Sequence, residues 1–222
     1  MALACKIYSD PKDIDPRLAE IGMTREILDQ ARRSGLLARR EHTENHPLTA
    51  AGFNQWSETV RTLRDLSGPG AWIPDNDANQ GLLTNPTLQI SIAVVPGDSK
   101  TGREGSTPST RSRRGPKTAD AIRANGTGYL FKEIEDDLVA LEASRRDGLW
   151  LLLVFVNQQK QWAQSELSRP TQMSAGNRPN AWSERILLPD IDFSDGPGAS
   201  RRTDLPPVEK SPEIVIEVKR RA

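Results

Sequence analysis

Asp190, in the stretch ILLPDIDF, and Glu217 with Lys219, in EIVIEVKRR, have residue types and spacing suited to a Mg²⁺ site for phosphodiester cleavage. Residues two apart on a strand share a face, so Glu217 and Lys219 point the same way. Carboxylates at neighbouring strand ends can hold a divalent ion, and a lysine beside them orients or activates the attacking water. Glu166, in SELSRP, is a further carboxylate able to join Asp190 and Glu217 as a metal ligand. The competing expectation is an ordinary strand in which Ile214, Val215, Ile216 and Val218 pack while Glu217 and Lys219 face water. Triplets of this kind are frequent by chance, so the solvated strand is the preferred expectation.

Over the last third of the chain this layout resembles the PD-(D/E)XK nuclease superfamily, whose core runs helix, three strands, helix, strand. The resemblance implies Asp190, Glu217 and Lys219 as catalytic residues and Mg²⁺ as the cofactor. In that superfamily a helix and a strand follow the Glu-x-Lys strand, whereas here Arg220, Arg221 and Ala222 follow. The missing pieces would have to come from the N-terminal helices or from another chain.

A second kind of chemistry is anion binding. Between 96 and 117, Lys100, Arg103, Arg111, Arg113, Arg114 and Lys117 stand against Asp98 and Glu104 alone, among Gly, Pro, Ser and Thr without apolar periodicity. Such a segment reads as a long basic flexible loop that can wrap a phosphate backbone and gain affinity by counterion release. GDSKTG at 97 to 102 has the glycine spacing of a phosphate-binding loop after a strand. Arg103 and Glu104 replace the required Lys and Ser/Thr, so a tight turn held by Asp98 and Thr101 is expected instead. His42 and His46 are the only histidines, and their setting favours a surface turn at a helix start over a metal site. The five tryptophans are expected in the core more often than as stacking platforms, Trp72 and Trp162, with polar neighbours, being the two candidates for exposure.

The elements that must position these groups follow from periodicity. Helices are expected over Thr24 to Gly35, capped by the threonine and ended by the glycine, and over Leu48 to Leu66, where Phe53, Trp56, Val60 and Leu63 form a stripe. A third, long helix is expected over 129 to 146. Strands are expected at 88 to 95, 149 to 156, 161 to 168, 182 to 193 and 213 to 221, with loops at 70 to 87 and 169 to 181. The fold class is therefore α+β: N-terminal helices, then a mixed, mostly antiparallel sheet of about five strands with one long helix packed on it. A helical region over 1–70 precedes a sheet domain over 71–222, the two forming either separate units or one domain.

Composition limits the partners. Thirty basic residues balance thirty acidic ones, so no global field draws the chain to nucleic acid or to a membrane, and any attraction is local. Cys5 is the single cysteine, which excludes a disulfide framework within the chain and points to a cytoplasmic protein. The longest apolar run, LWLLLVFV, is too short to span a bilayer, so no membrane partner is expected. These features describe a binding or interaction protein that engages DNA, RNA or a partner protein through its basic loop. The Mg²⁺-dependent nuclease is the alternative, and a subunit of a larger assembly, a homo-oligomer included, is the third reading.

Overall fold

The computed structural model describes residues 5–68, 70–76, 80–132 and 148–194. Their elements run β1 (Lys6–Tyr8), α1 (Pro11–Glu20), α2 (Arg25–Arg40), α3 (Ala50–Leu66), β2 (Ile73–Asp75), β3 (Leu82–Asn85), β4 (Ile90–Pro96), α4 (Pro116–Lys132), β5 (Gly148–Asn157), β6 (Trp162–Met173) and β7 (Pro179–Asp192). The mixed α and β content agrees with the sequence. The sheet has seven strands among the described residues rather than five, in the order β1-β7-β6-β5-β4-β3-β2. Four of its pairings are antiparallel, while β1 with β7 and β4 with β5 are parallel.

The extra strands are short, β1 and β2 forming the two edges and β3 lying inside β2. β1, β2 and β3 span three or four residues each, and β2 and β3 lie in the Asn- and Pro-rich stretch expected to be loop. Strands of that length carry no readable alternation, and short edges leave little backbone open to unwanted pairing. β6 continues past Pro170 because the register of β6 against β7 shifts at Arg169/Pro170, and a shift of this kind spares the ladder the amide that proline lacks. The expected loop at 169 to 181 thus shrinks to the turn between β6 and β7.

Alternation along the parallel pair fixes the layers. Ile90, Ile92, Val94, Trp150 and Leu152 pack in one core with Ile14, Leu18, Leu28, Val60 and Leu63 of α1, α2 and α3. Ala93, Val95, Leu149, Leu151 and Leu153 face the other way and pack with Ile122 of α4. Helices therefore cover both faces of the central strands, which explains the continuous apolar run of β5. Residues on either side of position 70 share the first of these cores.

Local chemistry accounts for the helices. Asp10 accepts from the Lys12 amide at 3.0 Å and Pro11 opens α1, while Thr24 accepts from the Ile27 amide at 3.3 Å to cap α2. Gly35 does not end α2. It lies within it, where a Cβ would overlap Thr59 Oγ1 and sit 2.6 Å from the Gln55 carbonyl oxygen of α3. α4 begins at Pro116, inside the segment read as loop, and Asn125 on it donates to the Leu149 and Pro170 carbonyls at 2.8 Å each. The helix expected over 129 to 146 overlaps the end of α4, and from 133 onward it lies outside the described residues. The strand expected at 213 to 221 lies outside them too. No helix among the described residues is long and apolar enough to cross a membrane.

Candidate anion-binding cleft

Because β4 and β5 are parallel, their C-terminal ends reach the same edge of the sheet. α3 packs on one side of this edge, and the chain leaving β4 passes to α4 on the other. The carboxyl ends of parallel strands are a common place for ligands in α/β sheets, and here the chain leaves β4 toward α4 while β5 turns back into β6. Two adjoining cavities open here, of about 1010 and 640 Å³, both bounded by Trp56 and by Val94 to Pro96.

The walls are cationic. Arg39 from the end of α2 and Arg111 from the loop line the larger cavity, while Arg113, Arg114 and Lys117 line the smaller. Among the described residues Asp98 is the one carboxylate lining either, and its Oδ1 accepts from the Lys100 amide at 3.1 Å. Burial lowers the pKa of Arg39, and the nearby charge of Arg111 lowers it further. Burial also lowers that of Arg114. One Arg39 Nη donates to Gln55 Oε1 at 3.1 Å, but its buried Nε has no hydrogen-bond partner among the described residues. The two guanidinium groups repel each other here. Both helices that meet the edge have no acidic residue in their first turn, and α3 has no side-chain cap, so its N-terminal amides add positive potential.

The segment expected to be flexible is instead pinned along its length. Asp98 N donates to Ser109 O at 3.0 Å and Arg111 N to Pro96 O at 2.9 Å, closing the loop on itself. From the sheet, Arg185 donates to the carbonyls of Ser106 at 2.6 Å and Arg103 at 3.0 Å, and Trp182 Nε1 donates to Pro108 O at 3.0 Å. Arg114 N reaches the β6–β7 turn at Asn177 O, 2.8 Å away. The 97 to 102 stretch forms the expected turn, with Thr101 N donating to Asp98 O at 3.1 Å and Thr101 buried.

Glu166 explains the anchoring. It is wholly buried on β6, where it pairs with Arg185 of β7 at 2.6 and 3.0 Å and accepts from Ser168 Oγ at 2.8 Å and from the Gly102 amide at 2.8 Å. Four donors occupy this carboxylate, and a metal ion would have to displace them. Two further buried arginines tie the N-terminal helices to the sheet. Arg17 of α1 forms a two-pronged pair with Glu184 of β7, and Arg32 of α2 donates to Ser165 Oγ and Pro189 O at 3.0 Å each.

Of the sequence-derived site residues, Arg111, Arg113, Arg114 and Lys117 come together around the cleft. Arg103 instead reaches toward Gln164 at 3.5 Å, and neither it nor Lys100 lines the two cavities. Asp190 accepts from Gln164 Nε2 at 3.2 Å near the end of β7, and Glu217 and Lys219 lie outside the described residues. No group of three or more His, Cys, Asp or Glu placed to hold a metal occurs among the described residues. The rings of His42 and His46 lie 4.5 Å apart in the α2–α3 turn. Of the two tryptophans with polar neighbours, Trp72 is buried and donates to Gly22 O at 3.0 Å, whereas Trp162 is half-buried against Phe155. Arg39 is the residue that sequence reasoning missed. Its signal, a basic pair ending a helix, is ordinarily read as dipole complement, and nothing local announces that α2 delivers it to the loop. Comparison with known protein families, with curated proteins and with solved structures gave no match to this chain.

Proposed function

We propose that the protein binds nucleic acid by its phosphates, seating them in the cleft at the C-terminal ends of β4 and β5. The observation that carries this reading is that Arg39 and Arg111 line one cavity, close enough for the charge of Arg111 to act on Arg39, with Asp98 the one carboxylate lining it among the described residues. An arrangement that costs repulsion in the free protein is offset when an anion enters, and a phosphate diester supplies acceptors for both forks. The pinned loop keeps Arg111, Arg113 and Arg114 in place, so little ordering entropy opposes binding.

The test is titration of a fluorescent oligonucleotide by anisotropy, with Arg39→Ala and Arg111→Ala beside the unaltered protein and Lys100→Ala as a control away from the cleft. Each cleft variant is expected to weaken binding about tenfold or more, as loss of a charged hydrogen bond predicts, and Lys100→Ala to have little effect. Unchanged affinity in both cleft variants removes this reading.

A further inference from the structure

Beside the cleft stands an aromatic pair that its phosphate chemistry does not use: Trp56 lines both cavities, and Phe53, packed on it, lines neither. Phe53, on the first turns of α3, is 61% exposed, and Leu48 just before that helix is fully exposed. Deeper along the same helix Val60 and Leu63 are buried, so Phe53 stands outside the core that the apolar stripe feeds. Its ring centroid lies 5.7 Å from that of Trp56, tilted by 46°. Trp56 is fixed in turn, its Nε1 donating to the Val94 carbonyl at 3.1 Å, and it forms the wall shared by the two cavities. A solvent-facing phenyl held against an anchored indole loses little freedom when another ring stacks on it. Gly52 precedes Phe53 in the chain, and a Cβ on it would come within 3.9 Å of an Arg39 Nη. Arg39 and Phe53 thus meet the same end of α3, at successive residues of it.

We infer that the ligand is single-stranded nucleic acid, an unpaired base stacking on Phe53 while adjoining phosphates engage Arg39 and Arg111. This deepens the phosphate-cleft reading and rests on it. Cation beside exposed aromatic is the pairing that single-strand binders use, because every unpaired base offers a π-face and every linkage a charge. In a duplex those faces are already stacked on one another. An acidic peptide would satisfy the arginines and leave the phenyl unused.

The experiment compares four probes on the full chain by anisotropy: an oligothymidylate of about 15 nucleotides, within the span of common single-strand sites, its abasic equivalent, the same length as duplex, and polyglutamate. The oligothymidylate is expected to bind at least about tenfold tighter than the other three. Phe53→Ala is expected to weaken it by about 5- to 150-fold, the range found when a stacking aromatic is removed, and to leave the abasic probe unchanged. Phe53→Trp should restore it. Equal binding of the thymidylate and abasic probes, insensitivity to Phe53→Ala, or tighter polyglutamate binding overturns the stacking inference. If Arg39→Ala and Arg111→Ala still weaken the abasic probe in that case, the phosphate cleft stands by itself; if no nucleic acid binds, both fall.

Discussion

Glu166 shows how a residue's neighbours decide what its charge does. A buried carboxylate on a central strand invites a catalytic or metal role, but its bonds to Arg185, Ser168 and Gly102 turn it into the anchor of the cationic loop. Glu166→Ala is therefore expected to leave the Arg185 charge buried and unpaired, at a cost of about 3–5 kcal/mol. Urea unfolding followed by tryptophan fluorescence measures this, and a loss below about 1 kcal/mol would mean that the pair contributes little. Replacing the pair together with apolar residues should cost far less than the single change, because no charge is then stranded. At this scale much of the loop's chemistry was readable, since six cations against two anions is a local property of the chain. Arg39 was not, because its meaning arises only from a contact made across the fold.

Elements bring those distant residues together, and the α2–α3 crossing is the decisive one. Gly35 allows it, since a Cβ there would overlap Thr59 Oγ1 and crowd the Gln55 carbonyl. Helix propensity alone would make Gly35→Ala stabilising by about 1 kcal/mol, whereas forcing a methyl into a closed contact typically costs about 1–3 kcal/mol. A lower Tm is the expected outcome, together with weaker oligonucleotide binding, because Arg39 lies one turn beyond on the same helix and bonds Gln55. A rise in Tm would show that the crossing is loose. The same contact explains a boundary that the sequence misplaces: glycine after an amphipathic stretch reads as a terminus, and only the partner helix reveals it as a crossing point. α3 was legible from its period, because burial on one face imposes it, and β5 from its unbroken apolar run, because both its faces are covered. The three-residue strands were not, since edge pairing selects them without leaving a period. α1 escaped notice for a related reason: its decapeptide PKDIDPRLAE carries five charges and an internal proline, and the apolar contribution is Ile14 and Leu18 alone.

At the scale of the whole molecule, charge is balanced but unevenly placed, and that makes the mode of binding measurable. With thirty residues of each sign the protein offers no long-range field to a polyanion, so affinity must come from the few cations that the fold gathers. Of the five cations lining the two cavities among the described residues, the four arginines, Arg39, Arg111, Arg113 and Arg114, present the fork that matches a phosphate. Four phosphates neutralised on a single strand give a slope of log K against log salt of about −3, by the usual ~0.7 counterions released per phosphate. Between about 50 and 200 mM salt, affinity for the oligothymidylate should then fall by roughly 50-fold. In the double variant Arg39→Ala with Arg111→Ala the slope should shrink by about half, as two of the four contacts go. Phe53→Ala, by contrast, should shift the line without tilting it, since stacking on a base releases no counterion. A slope steeper than about −6 would place the binding surface well beyond the cleft, and a slope near zero would remove the phosphates from the interaction altogether.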